Sequence, residues 1–218
     1  MSHLKTIYIT RHGQTPLNKQ QMVHGNQFMR DCPLSEYGQQ QANEFYEKYK
    51  DIPISKVYTS SLLRTQLSVQ KFIEKYPHEI SSDLDEFNFG KFDGQPLIQN
   101  QQNILTYYFD EWSKGNVDLK IEGGQSQKEM NEQQQRIFKK IVEEEGDVLV
   151  AMHFRAMTFL FTWMFNIPSE KMNFIRPGNL EMFVIQYDRE KKVFIDACGI
   201  RERVNERSKE AEVLQYPK

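Results

Sequence analysis

Thr6-Ile7-Tyr8-Ile9-Thr10-Arg11-His12-Gly13-Gln14-Thr15-Pro16-Leu17-Asn18 is the stretch whose reading decides the fold. Its first five residues are β-branched or aromatic, enough for one buried strand. The strand ends at Arg11-His12-Gly13, where glycine permits a backbone bend. An arginine and a histidine are thereby delivered to the carboxyl end of a strand. In open α/β sheets that edge is where ligands bind. Arg11 offers a rigid fork of donors suited to phosphate or carboxylate. His12 offers a ring nitrogen able to act as a nucleophile near neutral pH. The plain alternative is an Arg11 paired with a surface carboxylate and a His12 satisfied in a turn.

Outward from this stretch, other strands end in the same way. Lys56–Thr59 reads as a short strand, and Ser60-Ser61 as the cap of a helix running to about Tyr76. Arg64 falls in that helix's first turn. Helical side chains lean toward the N-terminus, which aims Arg64 back at the same sheet edge. Val148–Met152 is a further apolar strand, ending at His153, with an apolar helix from Phe154 to Phe165 behind it. A helix start is itself favourable to anions.

Between these, Ser35–Lys50 has helical spacing, with Ser35 as cap and Ala42, Phe45, Tyr46 and Tyr49 on its buried face. Lys19–Cys32 has no period and reads as a loop over the site. Ile80–Leu84 is a weak third strand. Leu84–Gly94 interleaves glycines, aromatics and acids, which suits a tight loop. Glu86, between Phe87 and Phe89, is placed for partial desolvation, which raises a carboxyl pKa toward that of a general acid. Leu97–Lys114 and Gln127–Glu145 read as helices, the first carrying Ile98, Leu105, Tyr108, Phe109 and Trp112. Glu181–Tyr187 and Lys192–Cys198 read as a hairpin, and Arg201–Lys218 as a surface helix or tail. The alternation predicts an α/β fold: a three-layer α/β/α sandwich with a mostly parallel sheet and one antiparallel edge strand. One domain over residues 1–218 is expected, with residues about 95–145 as a helical lid and 200–218 as a surface tail.

Composition narrows the function. The chain has 218 residues, 39% apolar and 27% charged, with net charge −2. No global field favours nucleic acid or an anionic membrane. Cys32 and Cys198 make neither a disulfide framework nor a zinc-type spacing. The most apolar segment, around Ala156–Phe165, is too short to span a bilayer. No signal peptide is expected ahead of the first strand, so a cytoplasmic location is expected.

The ordered motifs resemble the histidine phosphatase superfamily, the phosphoglycerate mutase-like family. The matching residues are Arg11-His12-Gly13 with Thr15 and Asn18, then Gly25 and Pro33-Leu34 with Gly38. Ser60 with Arg64 follows, then Leu84, Glu86, Gly90 and Gly94, and last His153. The resemblance implies His12 as nucleophile, Glu86 as proton donor and His153 as a second catalytic-pocket histidine. It implies Arg11, Arg64 and Asn18 around phosphate, and Gly25, Phe154 and Arg155 beside the substrate. Two positions depart from the pattern: Gln125 replaces the usual Glu after Gly123-Gly124, and Phe154 replaces the Gly after His153. Glu86-Phe87-Asn88-Phe89-Gly90 lacks the Glu-Arg of mutases and resembles the phosphatase branch.

These residues permit in-line attack of His12 on phosphorus, with arginines holding the phosphoryl oxygens and Glu86 protonating the leaving oxygen. Water activated by Glu86 then discharges the phosphohistidine. No step asks for a metal or cofactor. The expected function is a metal-independent phosphomonoesterase for a small phosphorylated metabolite, with phosphoserine the leading substrate. Arg30, Arg155 and Arg176 are spare cations for a carboxylate. Phe87, Phe89 and Phe154 limit room for bulky groups. The alternatives are a phosphoglycerate mutase and a non-catalytic phosphate-binding or regulatory protein. A metal site from His12, His24 and His153 is disfavoured by their wide spacing. A homodimer is expected through the edge hairpin.

Overall fold

The computed structural model describes residues 3–96 and 99–215. The expected helix members Leu97 and Ile98, the chain start Met1-Ser2 and the last three residues of the expected tail lie outside them. Six strands form one sheet: β1 (Leu4–Arg11), β2 (Ile54–Thr59), β3 (His78–Ile80), β4 (Asp147–Met152), β5 (Met182–Asp188) and β6 (Val193–Asp196). Their order is β3-β2-β4-β1-β5-β6. β1 and β4 pair in parallel with Thr10 opposite Ala151 and Arg11 opposite Met152. The two strands therefore end level, and the His12 N–H donates to the Met152 carbonyl at 3.0 Å. That register places His12 and His153 side by side.

The strands alternate between two cores, as period 2 requires. On one face Ile7, Ile9, Val148 and Val150 pack with Met157, Leu160 and Phe161 of one helix (Phe154–Met164) and Phe138 of another (Gln127–Glu143). On the other face Val57, Leu149 and Ala151 meet Phe45 and Phe72. The helices, in chain order, are α1 (Pro16–Lys19), α2 (Glu36–Tyr49), α3 (Leu63–Ser68), α4 (Gln70–Ile73), α5 (Gln99–Ser113), α6 (Gln127–Glu143), α7 (Phe154–Met164) and α8 (Ile200–Gln215). The three-layer sandwich is thus present.

The β5–β6 hairpin takes the rim of the sheet as read, β5 antiparallel to β1 and β6 antiparallel to β5. Other details differ from the reading of the sequence. The third strand is His78–Ile80, because the Ser81 hydroxyl accepts from the Asp83 N–H and turns the chain at Ser82–Leu84. The helix expected from Ser61 to Tyr76 breaks at Val69. There the Ser68 hydroxyl donates back to the Arg64 carbonyl and accepts from the Gly13 N–H, a competition that unsettles a helix. Ser61 does not cap it; its hydroxyl bonds Asp85, and the Ser60 Oγ accepts from Leu62 N–H. At the C-terminal end α8 buries Ile200 and Val204.

Candidate active site

Several chain segments meet at the carboxyl ends of β1 and β4 around a cleft of about 500 Å³. The β1 end supplies Arg11 and His12, and the loop after α1 supplies Met22, Val23 and His24. Glu86 and Phe89 come from the Leu84–Gly94 loop, and Leu105 and Phe109 from α5. The start of α7 supplies Phe154 and Arg155.

His12 is 3% exposed. Its Nδ1 lies 2.7 Å from the Gly13 carbonyl, which can only accept, so Nδ1 carries the proton and Nε2 keeps its lone pair. Burial, then Arg64 and Arg11, hold the imidazole well below its usual pKa, so the ring is neutral at pH 7. Asn179 holds the turn from the far side, donating to the His12 carbonyl at 2.7 Å.

Arg64 is wholly buried, and each of its nitrogens has a partner. Nε donates to His153 Nδ1 at 3.3 Å, one terminal nitrogen to His24 Nε2 at 2.9 Å, and the other to the Gly25 carbonyl at 2.9 Å. His153 therefore carries its proton on Nε2, which donates to Ser60 Oγ at 2.8 Å. The His12 and His153 rings stand 5.2 Å apart, centre to centre. His24 is neutral, its pKa pushed down to about 4 by burial and Arg64. No group of three His, Cys, Asp or Glu side chains among the described residues is arranged to share a metal ion. A guanidinium stands between His24 and His153 instead.

Glu86 is 5% exposed and sits at the start of α7. One oxygen accepts from the Phe87 and Ala156 N–H groups, both at 2.8 Å, and the other from Arg155 N–H at 3.1 Å. Burial raises its pKa, and these N–H groups and Arg64 oppose the rise. The loop that holds it needs glycine at Gly90, where φ is +51° and a Cβ would meet the Glu122 carbonyl at 2.2 Å. Gln125, at the position of the lost charge, accepts from Asn88 N–H at 3.0 Å.

The family model for the histidine phosphatase superfamily (branch 1) matches residues 7–197. The chain belongs to the histidine phosphatase superfamily. A Salmonella typhi protein named probable phosphoglycerate mutase GpmB is 25% identical over 187 residues, 83% of this chain and 84% of its own. The structure of a Bacillus anthracis phosphoglycerate mutase superposes with TM-score 0.73 at 24% identity, over 93% of this chain and 96% of that one. An Entamoeba histolytica phosphoserine phosphatase, solved with 3-phosphoglyceric acid, gives TM-score 0.73 at 16% identity, over 88% and 95%. These two structural likenesses bear on the fold.

In this member of the superfamily, Arg11, His12, Asn18, Glu86, Phe154 and Arg155 line the cleft, whereas Arg64 and His153 stand directly behind it. Asn18 has its carbonyl oxygen in the α1 capping box, accepting from Thr15 N–H at 3.1 Å, which leaves its NH₂ end as a donor. Gly25, expected beside the substrate, is a structural element. A Cβ there would lie 2.8 Å from both Asp93 and the Phe87 carbonyl, and its own carbonyl anchors Arg64. Phe87 is also withdrawn from the cleft, fully buried against Phe89, Trp112 and Phe159. Of the spare cations, Arg30 is committed to Asp85 and Ser61 and Arg176 is exposed, so only Arg155 among them lines the cleft. The sequence reading missed His24 and Asn179 as partners of this site. A histidine directly before Gly25 was the available signal for the first; nothing local marks the second.

Proposed function

We propose that this histidine phosphatase is a metal-independent phosphomonoesterase working through a phosphohistidine on His12. The observation that carries the reading is a neutral, buried imidazole with a bare Nε2, set beside two arginines and a buried carboxyl. Nε2 attacks phosphorus, and the bond to the departing ester oxygen breaks. Arg11 and Arg64 stabilise the charge on the phosphoryl oxygens. Glu86, in the protonated form that burial favours, gives its proton to the leaving oxygen. The resulting carboxylate then takes a proton from water as that water attacks the phosphohistidine, restoring both residues. Arg64 meets the phosphoryl group when His24 yields its place on the guanidinium. His153 holds Arg64 in position from behind.

The substrate in this reading is a small phosphorylated metabolite bearing a carboxylate, with phosphoserine the leading named candidate. Leu105 and Phe109 make α5 a lid, and with Phe89 and Phe154 they leave space for a compact molecule. A kcat/KM panel of phosphoserine, 3-phosphoglycerate, fructose 2,6-bisphosphate and a phosphotyrosine peptide tests this. A win for the peptide or the bisphosphate overturns it. The second reading, a phosphoglycerate mutase, is favoured by the name of the Salmonella relative. It replaces the first if 3-phosphoglycerate is isomerised faster than phosphate is released.

We extend the proposal to a cytoplasmic homodimer built as one domain. No helix among the described residues is long and apolar enough to cross a membrane, and edge strand β6 leaves Val193 and Ile195 exposed. Sedimentation showing only monomer at micromolar concentration removes the dimer.

A further inference from the structure

We propose that Arg155 forms a second anion subsite in the cleft, which selects phosphomonoesters with a carboxylate at the far end and no ammonium group. This rests on the phosphomonoesterase reading for the position of the phosphate. It concerns what lies beyond the phosphate.

Arg155 lines the cleft with its guanidinium 3.9 Å from the centre of the Phe109 ring. One terminal nitrogen donates to Asn173 Oδ1 at 3.2 Å. Its Nε is a buried donor with no partner. No described carboxylate makes an ion pair with it. A partly buried cation without an ion-pair partner is costly, and a ligand anion relieves that cost. Burial accordingly pushes its pKa down to about 10, with Arg176 adding to the fall.

Phe154 ties this cation to the phosphate end. The Arg11 guanidinium lies 5.1 Å from the Phe154 ring centre and that of Arg155 lies 5.5 Å from it. Both cations rest on one aromatic side chain. Glycine at this position would provide no such shelf. Arg11 Nε, like Arg155 Nε, is buried and unpartnered. Two guanidinium groups that line the cleft thus stand about one ring, each with a buried Nε that has no partner.

Charge balance names the ligand. Arg11, Arg64 and Arg155 share one neighbouring carboxyl, Glu86, which is the first favourable charge for each. Glu86 is already held by three backbone N–H groups and is the one acidic side chain among the described residues lining the cleft. With Glu86 protonated, as the proposed attack requires, a phosphate dianion offsets Arg11 and Arg64. One positive charge then remains at Arg155, which suits a single carboxylate and not a second phosphate. No acidic side chain is left for an ammonium, which would face like charge. The amine is therefore the part of phosphoserine that the cleft does not match, so this subsite ranks an amine-free carboxylate such as 3-phosphoglycerate ahead of phosphoserine.

The test is calorimetric titration of the protein with four phosphonates that cannot be hydrolysed. They are 3-phosphonopropionate, propylphosphonate, 3-aminopropylphosphonate and propane-1,3-bisphosphonate. The carboxylate should bind about tenfold or more tightly than the propyl compound, the worth of one charge-assisted hydrogen bond. The amine should bind more weakly than the propyl compound. Arg155→Met should remove the carboxylate's advantage, and Arg155→Lys should restore part of it. Equal binding of carboxylate and propyl compounds, absence of binding by all four, or an advantage that survives Arg155→Met overturns the subsite. Tightest binding by the bisphosphonate overturns the carboxylate assignment. Turnover of p-nitrophenyl phosphate, measured separately, decides the phosphatase reading without reference to Arg155.

Discussion

His12 Nδ1 sits 2.7 Å from the carbonyl oxygen of Gly13, its own chain neighbour. The contact is short in sequence and decisive for the chemistry. It fixes which nitrogen is protonated, so the other is available for bonding to phosphorus. The Gly13 N–H in turn donates to Ser68 at 2.8 Å, which pins the turn to α3. The tautomer is therefore set by backbone and needs no acidic partner.

Glu86→Gln separates protonation from attack. An alkyl oxygen needs a proton to leave, and p-nitrophenolate does not. Single-turnover phosphorylation should fall by about 10²–10⁴-fold with an alkyl phosphate, the usual worth of general acid catalysis, and by far less with p-nitrophenyl phosphate. Equal losses with the two esters would remove Glu86 from the proton-donor role.

The pH profile of phosphorylation should also carry both groups. Attack needs neutral His12, whose pKa is depressed, and protonated Glu86, whose pKa is raised. The rate with an alkyl phosphate should therefore peak on the acid side of neutrality and decline as Glu86 ionises. Measured in Glu86→Gln, the basic limb should disappear. Its persistence there would assign that limb to another group.

Stability should fall in acid for a reason that can be located. His12, His24 and His153 are buried neutral, each with a lowered pKa. The unfolded chain takes up protons from about pH 6.5 downward, while the folded chain resists. The unfolded state thus binds more protons, and unfolding free energy drops as pH falls through that value. For His24 the window closes near pH 4. Each such histidine contributes at most about 1.4 kcal/mol per pH unit inside its window. Melting temperatures between pH 7 and 4 should show a shallower decline for His24→Asn than for the native protein. Parallel curves would contradict this account.

Arg64 should be structural as well as functional. Arg64→Met leaves His24 Nε2, His153 Nδ1 and the Gly25 carbonyl without their donor. Unsatisfied buried groups cost about 1–3 kcal/mol each, so a loss of about 3 kcal/mol or more is expected in denaturant unfolding. The kcat/KM should fall with it. A variant as stable as the native protein would show that the buried network is worth little.

The sequence and the structure agree where the signal is local. β1 and β4 are runs of apolar residues ending in Arg11-His12 and His153, and Ser35 caps its helix as its side chain suggests. Agreement ends where distant residues decide. The break at Val69 depends on Ser68 reaching Gly13, 55 residues away. The choice of β1 as the neighbour of β5 depends on residues more than 170 positions apart, as in Tyr8 opposite Val184. The withdrawal of Arg64 and His153 behind the cleft depends on His24 and Ser60, through bonds that span 40 and 93 residues of chain. Phe154 looked like an obstruction; its role emerged only with Arg11 and Arg155 placed around it.

The central claim is covalent phosphorylation of His12. The most direct measurement is intact and peptide mass spectrometry after rapid mixing with p-nitrophenyl phosphate and alkaline quench, with EDTA present. The account predicts one added phosphoryl group, acid-labile and base-stable, on the peptide bearing His12. It should be absent in His12→Ala, together with turnover, and unaffected by the chelator. Full turnover by His12→Ala, or activity lost to EDTA and restored by added metal, would contradict it.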